Sequence, residues 1–169
     1  MRERPVIAVS GGFDPVHIGH IRMIRDASRY GDVMVIINSD DWLLRKKGYV
    51  FMPYAERAEI MGNIKGVSFV TSVDDSDGTV CAALKRHIPD AFANGGDRKT
   101  KNTPEMDVCE ELGIQMMWAV GGDNKPQSSS WLVNKLKENK NGPKWIFWET
   151  DETFYGHSKC STRKTKSVC

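Results

Sequence analysis

Short apolar runs alternate along the chain with longer stretches whose apolar residues recur every three or four positions. The first pattern belongs to strands covered on both faces, the second to helices with one buried face. Residues 5–10 predict a strand, closed by the turn Gly11-Gly12. Ile21, Met23, Ile24 and Ala27 predict a helix from about Gly19 to Arg29. Residues 33–37 predict the second strand, and Tyr54 to about Asn63 a helix with Ile60 and Met61 facing inward. A third strand is expected at 67–70, then a helix at 79–86 capped by Asp77 or Thr79. Residues 90–93 read as a fourth strand running into Gly95-Gly96. A helix at 104–112, a strand at 115–120 and a helix from Ser129 to about Glu138 complete the series. Residues 45–48, Arg45-Lys46-Lys47-Gly48, read as a flexible basic patch after the second strand. Strands alternating with helices imply parallel pairing and right-handed crossovers. The predicted class is α/β: a Rossmann-like, doubly wound, five-stranded parallel sheet with helices on both faces.

The pattern changes after Gly142, so the expected division is a domain over 1–142 and an aromatic C-terminal extension over 143–169. Trp145, Phe147, Trp148, Phe154 and Tyr155 are five of the chain's fifteen aromatics. They are too many to leave together in water, so this segment is read as packed on its own subunit or across a two-fold partner. A homodimer is the expected assembly. An aromatic cage for a quaternary ammonium acceptor is the sharper alternative. The end beyond Gly156 is polar, basic and loose.

With 169 residues the chain is long enough to bury a core without staples, hiding roughly 70% of its unfolded surface. The net charge of +2 is matched by residues 151–169, where Lys159, Arg163, Lys164 and Lys166 outnumber Asp151 and Glu152. The first 150 residues are then neutral, which argues against a nucleic-acid partner. No apolar run is long enough for a membrane span and no leader is visible, so a cytoplasmic protein is expected. Cys81, Cys109, Cys160 and Cys169 lack metal-site or disulfide spacing and read as reduced thiols.

Ligands of open α/β sheets bind beyond the carboxyl ends of the strands, which directs attention to the loops there. The first is residues 11–20, Gly11-Gly12-Phe13-Asp14-Pro15-Val16-His17-Ile18-Gly19-His20. Its glycines permit close approach of backbone N–H groups, and the helix start behind them favours an anion. His17 and His20, two of the four histidines, lie on one side of that start. Two imidazoles there suit phosphoryl oxygens that gain charge in a transition state. Lys46 and Lys47 follow the second strand and can reach over the same site, or form a solvated surface run. Gly96 and Asp97 follow the fourth strand, where Asp97 could take ribose or base hydrogen bonds or cap a turn. Ser128, Ser129 and Ser130 open the last helix, as phosphate ligands or as an ordinary cap.

Residues 11–20 resemble the signature of the cytidylyltransferase-like nucleotidyltransferases, G-x-F-D-x-x-H-x-G-H between a strand and a helix. The resemblance continues through Asn38-Ser39-Asp40, Arg45-Lys46-Lys47-Gly48, Glu56-Arg57, Gly95-Gly96-Asp97 and Ser128-Ser129-Ser130, covering about residues 5–138. Within that family the chain is similar first to heptose phosphate adenylyltransferases and next to glycerol phosphate cytidylyltransferases. It departs at Gly12, where Thr or Cys is usual, and at Asp123, where an arginine is frequent. The resemblance implies transfer of a nucleoside monophosphate from CTP or ATP to a phosphorylated small alcohol or sugar, with release of pyrophosphate. It implies catalytic roles for His17, His20 and Lys47, and Mg2+ carried mainly on the nucleotide phosphates. Nucleotide contacts are implied at Gly11, Gly12, Phe13, Gly19, Gly96, Asp97, Gln127, Ser128, Ser129 and Ser130. Acceptor contacts are implied at Asp14, Asp40, Lys46 and Arg57, with pairing to its neighbours the alternative for Arg57. The rival function is an inactive nucleotide-binding sensor or scaffold of the same fold.

Overall fold

A computed structural model describes residues 4–95, 103–122 and 127–138. Its strands are β1 (Val6–Gly11), β2 (Asp32–Ile37), β3 (Val67–Ser72), β4 (Ala91–Gly95) and β5 (Gln115–Val120). Its helices are α1 (Ile18–Ala27), α2 (Asp40–Lys47), α3 (Tyr54–Gly62), α4 (Cys81–His87), α5 (Pro104–Leu112) and α6 (Ser129–Glu138). All four strand pairings are parallel, in the order β3-β2-β1-β4-β5.

The central strand shows why its sequence is apolar throughout. Side chains alternate across a sheet, so Val6 and Ala8 enter one core while Ile7 and Val9 enter another. The first core is closed by Leu84 of α4 and Val108 and Cys109 of α5; the second by Ile24 of α1 and Met61 of α3. Residues 33–37 are fully buried for the same reason. Burying each such aliphatic side chain contributes about 1.5–3 kcal/mol. Helices therefore cover both faces, as a doubly wound sheet requires. The strand order reverses between β1 and β4, and the loops leaving their carboxyl ends diverge there.

Four expectations change. Residues 40–47 form a helix rather than a flexible patch. Ser39 caps it by accepting a hydrogen bond from Trp42 N–H at 3.0 Å. Asp40 and Asp41 occupy the first turn, Arg45, Lys46 and Lys47 the last, and Gly48 ends it in the left-handed region at φ 77°. Leu43 is the helix's buried residue, too little to give an apolar period. In α3 the inward side is set by Arg57 and Met61, one turn apart, which leaves Ile60 41% exposed. The helix expected at 79–86 begins at Cys81 behind Val80, whose side chain makes no cap, while Thr79 Oγ accepts from Cys81 N–H at 3.2 Å. Asp77 instead binds Thr79 in the preceding turn.

Cys81 and Cys109 are buried free thiols, and burial pushes the Cys109 thiol up to about 11. Among the described residues no helix is long and apolar enough to cross a membrane. The aromatic extension and the expected division at 142 lie outside the described residues.

Candidate active site

A cleft of about 300 Å³ opens where β1, β4 and β5 end. Its floor is Gly11, Gly12 and Phe13 after β1, Asn94 and Gly95 of β4, and Val120, Gly121 and Gly122 at the exit of β5. One wall is the start of α1 with His17, Gly19 and His20; another is α2 with Trp42, Lys46 and Lys47. Gln127 and Ser128, Ser129 and Ser130 at the head of α6 close the far side. The fold thus brings together His17, His20 and Lys47 with most of the expected nucleotide contacts. Gly96, Asp97 and Asp123 lie outside the described residues.

The two histidines cap their own helix. His17 is the N-cap, and its Nδ1 accepts from Gly19 N–H at 3.1 Å. His20 reaches back, its Nδ1 accepting from His17 N–H at 3.2 Å. The pair forms a capping box built from imidazoles rather than from hydroxyl and carboxylate groups. Accepting at Nδ1 assigns the ring proton of each neutral imidazole to Nε2. The rings stack at 3.7 Å between centroids, and Phe13 packs edge-on to His20 at 4.8 Å. Phe13 holds this place with a left-handed backbone, φ 50°, a conformation that non-glycine residues seldom take. Burial, with the neighbouring His17 ring and the Lys47 charge, pushes His20 down to about 3. The ring is therefore a neutral donor at physiological pH.

Lys47 is half-buried, and its Nζ donates to the Asp14 carbonyl at 3.0 Å. Burial lowers its pKa, and the Lys46 and Arg57 charges lower it further against the opposing pull of Asp14. Neither α1 nor α6 carries an acidic residue in its first turn, so both positive helix ends remain suited to an anion.

Three of the expected acceptor contacts have partners within the fold. The Asp14 carboxylate is buried and accepts from Phe51 N–H at 2.8 Å and Met52 N–H at 2.7 Å. Arg57 is also buried: Nε donates to the Met52 carbonyl at 2.9 Å, and Nη1 to the carbonyls of Gly12 at 2.7 Å and Asn38 at 2.9 Å. Its Nη2 pairs with Asp40 at 2.5 Å, while Asp40 also accepts from Tyr54 N–H at 3.2 Å. Asp14, Asp40 and Arg57 therefore tie together the loops after β1 and β2 and residues 51–54. They do not line the cleft. Of the four expected acceptor contacts, Lys46 lines it. Ser129 lines it too, but its hydroxyl donates to the Pro15 carbonyl at 2.8 Å, fastening α6 to the first loop.

Several residues were not foreseen. Asp75, buried after β3, accepts from Asn38 Nδ2 at 3.1 Å, Ser39 N–H at 2.8 Å and Ser39 Oγ at 2.6 Å, and so fixes the start of α2. No sequence spacing announces it. Gly121 and Gly122 were visible as a strand-ending pair like Gly11-Gly12. Gly121 has φ 89°, and a Cβ there would lie 2.8 Å from the Met23 backbone nitrogen, so α1 packs directly on this turn. At Gly12 a Cβ would lie 2.7 Å from Leu43 Cδ2. Leu43 thus fills the space that a larger residue would need. Trp42 went unnoticed because α2 did.

Residues 8–154 match the cytidylyltransferase-like family. The chain is 28% identical over 140 residues to the bifunctional protein HldE of Geobacter metallireducens, covering 80% of this chain and 27% of that protein. It is 31% identical over 125 residues to HldE of Citrobacter koseri, covering 72% and 24%. It spans about a quarter of the length of these relatives. Among solved structures, a lipopolysaccharide core biosynthesis protein from Thermoplasma volcanium superposes with a TM-score of 0.57 at 21% identity, covering 68% of this chain and 93% of that one. A protein of unknown function from Archaeoglobus fulgidus gives 0.51 at 20% identity, covering 73% and 95%. Those two likenesses concern the fold. With the match spanning both sides of the cleft, the chain belongs to the cytidylyltransferase-like family of nucleotidyltransferases.

Proposed function

We propose that the chain transfers a nucleoside monophosphate from CTP or ATP to a phosphorylated sugar or small alcohol. The observation that carries this reading is the stacked pair of Nε2 donors at the start of α1, with Lys47 in the same cleft. An oxygen of the acceptor phosphate attacks the α-phosphorus of the triphosphate. The bond from that phosphorus to the oxygen of the β-phosphate breaks, and pyrophosphate leaves. A phosphate monoester is mostly dianionic at pH 7, since its second pKa is about 6, so no protein base is needed. Catalysis then rests on positioning and on donors that meet the charge developing on the transferring group. His17, His20 and Lys47 are those donors in this reading. Gln127, Ser128 and Ser130 would face the nucleotide phosphates beside the head of α6.

The cleft's described donors are imidazoles, amides, hydroxyls and lysines, with Asp14 turned away into backbone bonds. That set fits a magnesium ion carried on the nucleotide's own phosphate oxygens rather than in a protein cage. When bound, it would offset the triphosphate charge.

Pyrophosphate release should appear with one of CTP or ATP, and only when a phosphorylated acceptor is added. Each nucleotide is to be assayed with magnesium over a panel of phosphorylated sugars and polyols. In a parallel thermal titration, the accepted nucleotide at about a hundred times its Kd should stabilise the fold by ~2.7 kcal/mol. Stabilisation without release across the panel would favour the sensor reading. Neither effect with either nucleotide would refute nucleotide binding itself.

A further inference from the structure

The α2 end of the cleft carries a side chain that phosphate chemistry does not require. Trp42 lies in the first turn of α2, half-buried, and lines the cleft. Its indole Nε1 donates to the Gly78 carbonyl at 3.2 Å. Lys46, one turn further on, puts its Nζ 4.4 Å from the ring centroid. An indole fixed in this way loses little freedom when a ligand settles on it.

The two ends of the cleft differ in kind. The far end is backbone and small side chains: Gly95, Gly121 and Gly122 beside the serines of α6. It is a slot for a flat base and ribose, with the helix end beside the phosphates. The two substrates must meet phosphate to phosphate at His17, His20 and Lys47, between these ends. A nucleotide in the glycine slot leaves Trp42 and Lys46 to the acceptor. The negative face of an indole attracts the weakly positive C–H groups along one face of a sugar ring, as it attracts cations. Lys46 adds a donor for ring hydroxyls. An open-chain polyol has no such flat C–H face and must give up more rotamer freedom to lie against the ring.

Building on the transferase reading, we propose that Trp42 and Lys46 form the acceptor subsite and select a phosphorylated sugar in its ring form over an open-chain polyol phosphate. The test is calorimetric binding to the full chain with a non-hydrolysable analogue of the accepted nucleotide present. The probes are mannopyranose 1-phosphate and ribitol 5-phosphate. The ring probe should bind at least about tenfold more tightly. Trp42→Ala should weaken it by about tenfold or more, Trp42→Phe should keep most of the affinity, and the Kd of the analogue should stay within about twofold in both. Equal or tighter binding of ribitol 5-phosphate would overturn the proposal. So would a Trp42→Ala effect that falls on the nucleotide analogue instead. Pyrophosphate release, followed alongside, reports on the transferase reading separately. The expected binding pattern without release would sustain the subsite and sink the reaction.

Discussion

Replacing His20 by alanine is expected to lower turnover by a hundredfold or more while the chain still folds. Loss of one donor to a transition-state oxyanion typically costs about 10²–10³ in rate. His17→Ala should do the same, with one complication. His17 Nδ1 caps α1, so alanine also removes a helix cap, worth about 1 kcal/mol. His17→Asn keeps a capping oxygen and removes the Nε2 donor, so it separates the two effects. Steady-state pyrophosphate release beside urea melts measures both. Near-normal turnover in His20→Ala and His17→Asn would show that these rings are not the donors. The pH behaviour follows from the same geometry. Because burial holds His20 down to about 3, the ring stays neutral from pH 5 to 8 and gives the rate profile no acid limb of its own. The acid limb expected near pH 6 belongs to the acceptor phosphate. Stability behaves differently. The unfolded chain protonates this ring near 6.5 and the folded chain only near 3. The stability tied to the neutral ring is therefore complete above pH 6.5 and declines as pH falls towards 3. The loss amounts to a few kcal/mol at most. His20→Gln should flatten that slope in melts at pH 7, 5 and 4.

The sheet could be read from the sequence because its strands are buried on both faces. Residues 33–37 leave no polar position to confuse the period, and Gly11-Gly12 marks where the first strand must stop. The part of the cleft formed by residues 11–20 was readable for a related reason: glycines and helix starts act locally, within ten residues of one another. What escaped acts over distance. Asp14 and Arg57 were expected at the acceptor through the family resemblance, with pairing to its neighbours the alternative for Arg57. Asp14 binds backbone groups 37 and 38 positions away, and Arg57 reaches Asp40, Asn38 and Gly12 at 17, 19 and 45 positions, pairings that no local pattern encodes. α2 escaped although Ser39 and Gly48 bracket it, because with a single buried Leu43 its apolar period is too faint. Trp42 was lost with it. The missed parts are α2 and the residues that anchor the loops beside it.

Arg57→Ala is expected to be the most damaging single change to the fold outside the apolar core. The guanidinium is fully buried, and its four hydrogen bonds run to Met52, Gly12, Asn38 and Asp40. Removing it leaves three carbonyls short of a donor and the Asp40 carboxylate without its cation. The Asp40 side chain is 39% exposed and can be solvated, so the cost lies mainly in the acceptors left unsatisfied, at about 1–3 kcal/mol each, together a large part of the 5–15 kcal/mol typical of a domain. For a chain of this size that corresponds to a fall in Tm of ~10 °C. Arg57→Lys should recover only part of the loss. An ammonium keeps the charge but presents its donors from one point, whereas these acceptors lie around a planar fork. Activity should fall with stability, because the Gly12 carbonyl that Arg57 holds belongs to the loop on which Phe13, His17 and His20 are built. A direct contact to the acceptor phosphate would behave differently: Arg57→Ala would melt as the parent does and lose acceptor affinity alone. Calorimetric melts of the two variants, beside pyrophosphate release at several acceptor concentrations, distinguish these outcomes. A Tm within about a degree of the parent in Arg57→Ala would remove Arg57 from the structural network and return it to the acceptor's phosphate.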